Sequence, residues 1–204
     1  SNTPLWSYTP GGNALAVAIS ADGEYIAAGS EDNKVYLFDK DSSTPLWSYT
    51  TGNEVLSTGV SADGEYITAG SDDNKVYLFG KDSSTPLETK TAADVNDVAI
   101  SDNGTYYAAG SDDDKVRVYV RGSSSSWSQT LGGDVTRISM TPDGKYLAVS
   151  VSDGKVHLYE TNSLSEKWSF DTGEEAWAID ISDDGLIVAA GNHDSEKYLL
   201  NSTG

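Results

Sequence analysis

Apolar and polar positions alternate along almost the whole chain in short bursts, and each burst ends on Gly, Asp, Asn, Ser or Pro. Alternation at period two, enriched in β-branched and aromatic residues, predicts short strands. The nearest approach to a helical pattern, 174–179, falls at a strand position of the repeat described next, so no helix is expected. The alternation is organised by one recurring stretch, Ile19-Ser20-Ala21-Asp22-Gly23-Glu24-Tyr25-Ile26-Ala27-Ala28-Gly29-Ser30, which returns at 60–71, 100–111, 140–151 and 181–192. Its turn glycines, Gly23, Gly64, Gly104, Gly144 and Gly185, lie 40 or 41 residues apart. Short strands at a period of roughly 40–50 residues are the pattern of propeller blades. Asp-Gly or Asn-Gly between two apolar runs supplies the positive φ angles of a tight hairpin.

Each repeat reads as four strands. The inner three fall within 14–39, 55–79, 95–120, 135–160 and 176–201, and the outer ones at 45–50, 86–91, 126–131 and 166–171. The fifth repeat has no outer strand of its own. Residues 2–9, however, repeat 43–50 almost letter for letter. The expected fold is therefore all-β: a five-bladed β-propeller of four-stranded antiparallel blades in a single domain, 1–204. Strand 4–9 is expected to pair with 196–201 and close the ring, which would remove the open edge of a radial array. The near-identity of the first two blades leaves their register weakly distinguished and makes blade swapping between chains a hazard.

Two families are recognisable in these motifs. The Ser-x-Asp-Gly-x-Tyr-Ile-Ala-x-Gly-Ser stretch with its Asp-rich following turn resembles WD40-type repeats. The run from Val35-Tyr36-Leu37-Phe38-Asp39 to Pro45-Leu46-Trp47-Ser48-Tyr49-Thr50-Thr51-Gly52 resembles the quinoprotein (PQQ-like) repeat. Together the resemblances cover essentially the whole chain and imply a propeller. The Gly-His pair of WD40 repeats is missing, and Phe38-Asp39, Phe79-Gly80, Tyr119-Val120, Tyr159-Glu160 and Leu200-Asn201 replace the family's Trp-Asp. The buried His–Ser–Asp–Trp network of that family is therefore not expected. Quinoprotein dehydrogenases bring an eight-bladed ring and a dedicated cofactor pocket, neither of which is evident here, so no cofactor is expected.

Charge changes the picture most. The chain of 204 residues holds 32 acidic and 13 basic residues, a net charge of −19. Such a surface repels phosphate backbones and anionic lipid, which argues against nucleic-acid or membrane-surface partners. A patterned hydrophobic content of 37% in a chain this long suffices for one core that buries roughly 70% of the unfolded surface. The absence of cysteine removes disulfides, thiolate metal sites and cysteine nucleophiles. Asn103 and Asn201 head glycosylation-type triplets.

In propellers the loops between outer and next inner strand share one face with the turns between second and third strands. Here these loops carry Glu54, Asp94, Asp134, Glu174 and Glu175, and the turns carry acidic pairs that include Asp73 and Asp113. One rim should be strongly negative, with Lys40 and Lys81 on the opposite face. Asp and Asn also suit tight turns. The functional alternative is docking of a basic protein or cations, with Ca²⁺ or a glycan as further candidates. The turns lack the Asp-x-Asp-x-Asp-Gly spacing of a calcium loop. Trp6, Trp47, Trp127 and Trp168 share one repeat position, which Glu88 takes in the second blade, and are expected to pack between blades for about 2–3 kcal/mol each. Trp177 lies on an inner strand, where Leu15, Leu56, Asn96 and Thr136 are its equivalents. It is expected in the inter-blade core, with a binding place at the channel mouth as the alternative.

Three charges fall on inner strands: Asp97, Arg137 and Asp180. Asp97 and Arg137 align in adjacent blades, and an inter-blade ion pair is expected because an unpaired charge there is costly. Asp97 and Asp180 together are reminiscent of the carboxylates of five-bladed glycoside hydrolases. His157 and His193 share no metal spacing, and neither a Gly-x-Ser-x-Gly elbow nor a phosphate loop is present. The expected function is a non-catalytic binding or scaffold propeller for protein–protein interaction or extracellular assembly. The alternatives are a carbohydrate-binding or carbohydrate-active propeller and a cytoplasmic WD40-like adaptor.

Overall fold

The computed structural model describes residues 3–202. Nineteen strands form five antiparallel sheets among these residues. Blade 1 contains β1 (Ala14–Ile19), β2 (Tyr25–Ser30), β3 (Lys34–Asp39) and β4 (Trp47–Thr50), in that spatial order. Blade 2 contains β5 (Val55–Val60), β6 (Tyr66–Ser71), β7 (Lys75–Gly80) and β8 (Glu88–Thr91). Blade 3 follows with β9 (Val95–Ile100), β10 (Tyr106–Ser111), β11 (Lys115–Val120) and β12 (Ser126–Thr130). Blade 4 has β13 (Val135–Met140), β14 (Tyr146–Val151), β15 (Lys155–Glu160) and β16 (Ser165–Asp171). Blade 5 has only β17 (Ala176–Ile181), β18 (Ile187–Asn192) and β19 (Lys197–Asn201).

The turn between the first two strands is built the same way in every blade. In blade 1 Gly23 N–H donates to the Ser20 carbonyl. The Asp22 carboxylate accepts from the Ser20 hydroxyl at 2.6 Å and from Glu24 N–H at 3.0 Å. Ser61 with Asp63, Ser101 with Asn103, Thr141 with Asp143 and Ser182 with Asp184 repeat the arrangement. The left-handed backbone falls on the glycine alone, with φ between 63° and 74°. The residue before it works through its side chain as an acceptor.

Blades pack face to face. Ala27, Val35 and Leu37 of blade 1 meet Ile67, Ala69, Tyr77 and Phe79 of blade 2 in one buried cluster. The same junction recurs between the later blades. β1 packs on β5, β5 on β9, β9 on β13 and β13 on β17. Backbone hydrogen bonds tie the turns of consecutive blades, from Ala21 to Ala62, Ala62 to Asp102 and Asp102 to Pro142. Pro142 has no N–H with which to continue the series.

Ring closure by strand 4–9 is corrected. No packing comparable to these junctions joins β17 to β1 among the described residues, and 4–9 forms no strand beside β19. The segment instead lies on blade 1. Trp6 packs on Phe38 at 5.3 Å between ring centres, its indole N–H donates to the Lys40 carbonyl, and Tyr8 packs on both Tyr36 and Phe38. Trp47 and Tyr49 make the same contacts one blade on, with Phe79, Tyr77 and the Lys81 carbonyl. The aromatic socket of blade 1 therefore dictates where the segment lies. It takes the place of an outer strand from a preceding blade.

The turn glycines have a second duty. A Cβ on Gly64 would fall 2.2 Å from the Tyr25 ring, and Gly104, Gly144 and Gly185 meet Tyr66, Tyr106 and Tyr146 likewise. A Cβ on Gly23 would meet nothing within 4 Å. Gly23→Ala should therefore cost only the backbone term, about 1 kcal/mol. Gly64→Ala adds steric overlap at a packed junction and should cost about 2–4 kcal/mol. Urea unfolding of the two variants checks this difference.

Candidate functional site

The outer-to-inner loops and the second-to-third turns do share one face. Asp72 N–H donates to the Glu54 carbonyl, Asp112 to Asp94, Ser152 to Asp134 and His193 to Glu175, all at 2.9–3.1 Å. These bonds bring loop and turn together in blades 2 to 5, and Glu31 N–H donates to the Asn13 carbonyl at the same place in blade 1. Lys40 and Lys81 lie at the other end, where they pair with Glu24 and Glu65 beside the hairpin turns.

The rim carboxylates divide into two sets. Asp73 turns inward: it accepts from the Tyr77 hydroxyl at 2.5 Å and from Gly52 N–H at 2.8 Å, and its side chain is only 6% exposed. Asp32 braces Tyr36 and Gly11 in the same way. Asp113 is clamped by both terminal nitrogens of Arg117 and by the Ser111 hydroxyl. The Arg117 guanidinium holds the Asp113 carboxyl well below the usual aspartate range. Asp73 and Asp113, expected on a binding rim, are thus structural braces.

The second set faces the opening. Glu54, Asp72, Asp94, Asp112, Asp134 and Glu175 lie close enough to act on one another. The Asp72 carboxyl is pushed up by burial, and then by the charges of Asp94, Glu54 and Asp112. Asp134 is pushed up by burial, and then by Asp112, Asp114 and Glu175. Like charges gathered this closely create a focused negative potential. Glu174 is exposed beside Glu175. Among the described residues no three carboxylate or imidazole groups converge as ligands of a metal ion.

Where this acidic arc crosses blades 3 to 5 it borders a cleft of about 190 Å³, lined by Asn96, Asp112, Asp134, Thr136, Arg137, Glu175 and Trp177. Asn96, Thr136 and Trp177 are the second residues of β9, β13 and β17. Asn96 reaches the Asp112 carboxylate at 2.5 Å and the Val135 carbonyl at 3.1 Å, and the Thr136 hydroxyl donates to the Ala176 carbonyl. Each of these two side chains therefore ties its own blade to the next and fixes the cleft wall. Trp177 is not in the inter-blade core. It is 52% exposed, with its ring 6.2 Å from that of His193. In the second residue of each inner strand the repeat changes from Leu in blades 1 and 2 to Asn, Thr and Trp in blades 3 to 5. That change is the sequence feature that marks the cleft.

The expected ion pair between Asp97 and Arg137 does not form. Asp97 accepts from the Ser57 hydroxyl at 2.7 Å, Val98 N–H at 3.0 Å and Ile138 N–H at 2.9 Å. Arg137 extends outward and donates to the Thr136 carbonyl at 2.7 Å. Burial raises the Asp97 carboxyl despite these donors and the Arg137 charge. The Ser57 hydroxyl and the Ile138 amide of the two flanking blades, with the amide of the next residue, Val98, satisfy it without a cation. Asp180 similarly accepts from the Ser139 hydroxyl of blade 4 and from Ile181 N–H. Both carboxylates are stitches between adjacent blades. The repeated tryptophans pack as expected: Trp127 and Trp168 cover the clusters at their junctions. Glu88, in their place on blade 2, accepts from Gly122 N–H and the Tyr107 hydroxyl and pairs with Lys90. His157 is buried against Glu166 at 2.8 Å. Asn103 is exposed, and its side-chain oxygen accepts from Ser101 and Thr105 in the turn.

Five four- or three-stranded antiparallel sheets, packed in sequence through their first strands with acidic loops at one end, have the architecture of a β-propeller repeat protein. The WD-domain, G-beta repeat model matches residues 3–39, 43–79 and 84–119, together more than half of the sequence. The chain belongs to the WD40-repeat family. A model for the WD40 domain of anaphase-promoting complex subunit 4 matches residues 107–189. No curated protein matches the sequence. These matches lend no support to the quinoprotein resemblance. Each WD-repeat match begins on an outer-type segment and ends with the third strand of the following sheet, so the repeat unit of the sequence straddles two blades.

Asp113 adds stability that is fully present above the ordinary aspartate range of about 4 and is lost as pH falls below it. Asp113→Asn should therefore cost about 2 kcal/mol at neutral pH. The gap between variant and parent should shrink below pH about 4. Urea titrations at the two pH values measure it.

Proposed function

We propose that this chain is a non-catalytic docking module whose acidic channel mouth receives a basic segment of a protein partner. WD40 repeats generally mediate protein–protein interaction or scaffolding, and WD40 propellers are typically non-catalytic. The observation that carries the finer reading is the cleft itself. An exposed tryptophan face stands beside Asp112, Asp134 and Glu175, which combines a ring quadrupole with convergent negative charge. That pairing suits a Lys or Arg side chain, which would gain cation–π and carboxylate contacts together. Asn96 and Thr136 supply a rigid polar wall, and Arg137 offers a donor to a backbone carbonyl or carboxylate of the same segment. The wider arc of Glu54, Asp72 and Asp94 would steer a basic partner toward the mouth.

We also place this docking outside the cell or at its surface. The support is the acidic composition and the exposed Asn103 triplet. Glycan found at Asn103 of protein from its source supports that location, and a consistently unmodified Asn103 in secreted material counts against it.

A Lys/Arg-rich peptide should bind with quenching of tryptophan fluorescence. Trp177→Ala and Asp134→Asn should each weaken binding about tenfold, which corresponds to 1.4 kcal/mol. Because the Asp72 and Asp134 carboxyls are raised, they take up protons just above the usual aspartate range as pH falls. Affinity should drop through that window, and less so in Asp134→Asn. An Asp/Glu-rich peptide serves as the control. Equal binding of both peptides, or no effect of Trp177→Ala, would remove this reading.

A further inference from the structure

On the face away from the acidic mouth, a basic residue follows the third strand in blades 1 to 3: Lys40, Lys81 and Arg121. The two lysines are neutralised. Lys40 pairs with Glu24 and Asp41, both at 2.9 Å, and Lys81 pairs with Glu65 at 2.5 Å. Asp82 follows Lys81 as Asp41 follows Lys40. Lys81 borders a cleft of about 310 Å³ between blades 1 and 2, whose lining includes Asp39, Asp82 and the Trp47 indole.

One junction further on, between blades 2 and 3, the repeat loses these anions. Thr105 stands in the place of Glu24 and Glu65, and Asn103 in that of Asp22 and Asp63. Gly80 replaces Asp39, and Gly122 replaces Asp41 and Asp82. Arg121 keeps the rest of the arrangement. Its guanidinium lies 3.9 Å over the Tyr66 ring, as Lys81 lies over Tyr25, and its Nε donates to the Gly104 carbonyl at 2.9 Å. These two contacts fix the plane of the group. Among the described residues no carboxylate pairs with it.

The single carboxylate that enters this junction is committed inward. Glu88, in the place of Trp47, accepts from Gly122 N–H at 2.6 Å, from the Tyr107 hydroxyl at 3.0 Å and from Lys90 at 2.9 Å, and its side chain is only 14% exposed. The exchange of indole for carboxylate also opens the surface. The cleft here measures about 720 Å³, more than twice the volume of its counterpart. Tyr66, Leu87, Lys90, Arg121 and the loop 122–124 complete its lining. Leu87 is 56% exposed. The Ser123 hydroxyl accepts from Ser125 N–H at 3.0 Å and keeps its own proton to donate.

We infer that this cleft between blades 2 and 3 binds a small organic oxyanion, a carboxylate or a phosphate monoester carried on an apolar body. The terminal nitrogens of Arg121 take the anionic head in a fork, a geometry that suits both groups. The Ser123 and Ser124 hydroxyls add donors, and the body lies on Leu87. A recess of this size with a few convergent polar groups has the usual form of a small-molecule site. In a chain of net charge −19 the spot is locally positive, with Arg121 and Lys90 set against Glu88 alone. Carboxylates over the rest of the surface repel the same ligand and confine it here. This inference is independent of the basic-segment reading, whose cleft lies at the opposite face.

Calorimetric titration with benzoate, phenyl phosphate and inorganic phosphate tests it. The better of the two organic probes should bind with a dissociation constant of about 1 mM or tighter, and its head group identifies the anion preferred. Inorganic phosphate has no body to lay on Leu87 and should bind at least about tenfold more weakly. Arg121→Gln should weaken the organic probe at least about tenfold. Thr105→Glu restores the carboxylate that neutralises Lys40 and Lys81, so it should occupy Arg121 and weaken binding as much. Blades 1 and 2 already contain that pair, so circular dichroism should show the fold retained. Trp177→Ala, at the mouth, should leave this binding unchanged. No binding of either organic probe overturns the inference. So does binding that survives both Arg121→Gln and Thr105→Glu. Inorganic phosphate bound as tightly as the better organic probe also overturns it, as the mark of an adventitious ion only.

Discussion

Everything in this molecule depends on close contact between one blade's second strand and the next blade's hairpin and inner strand. The contact needs a residue without a side chain at two places. One is the turn glycine on which the preceding tyrosine rests, and the other is the strand glycine into which a valine fits. Where blade 4 has Ser150 in place of the strand glycine, Ala176 replaces the valine. Volume is exchanged across the junction, as close packing of interiors demands. The junctions bury the apolar halves of both faces and leave only backbone-rich loops at the two ends of the disc.

Polar stitching follows the same geometry. Inner strands converge, so a side chain on one reaches the backbone or hydroxyl of its neighbour. Asp97 and Asp180 bond hydroxyls of the preceding blades, and Asn96 and Thr136 reach carbonyls of the following ones. These bonds satisfy groups that would otherwise be costly to bury. They leave the charge of the acidic arc unneutralised. Burial, and then the charges of neighbouring carboxylates, raise Asp72 and Asp134 at the mouth, while Asp32 and Asp113 in the turns are held low by Tyr, Ser and Arg donors. A rim of uniform composition thus contains residues of two kinds, and only the outward set is available to a partner.

Aromatic packing alone can place a segment: Trp6 and Tyr8 lie on Phe38 of blade 1 without any strand pairing to hold them. The WD-repeat matches carry the same offset, since each unit begins in one sheet and ends in the next.

Much of this was legible in the sequence because it is local. Alternation at period two, the Ser-x-Asp-Gly turns and the 40- or 41-residue step specify each strand and each sheet, and the acidic loops and turns fall on one face for the same reason. Three things were decided only by tertiary packing. Residues 4–9 read as the strand that completes blade 5, yet their aromatic side chains find their socket on blade 1. Asp97 and Arg137 align as opposite charges, yet neighbouring amides and a hydroxyl lie nearer to Asp97 than any guanidinium. Trp177 reads as core by its hydrophobicity, yet it stands exposed at the mouth beside Glu175. In each case the residue's own chemistry was plain from the sequence, and the choice among its possible partners depended on distances that exist only once the blades are packed.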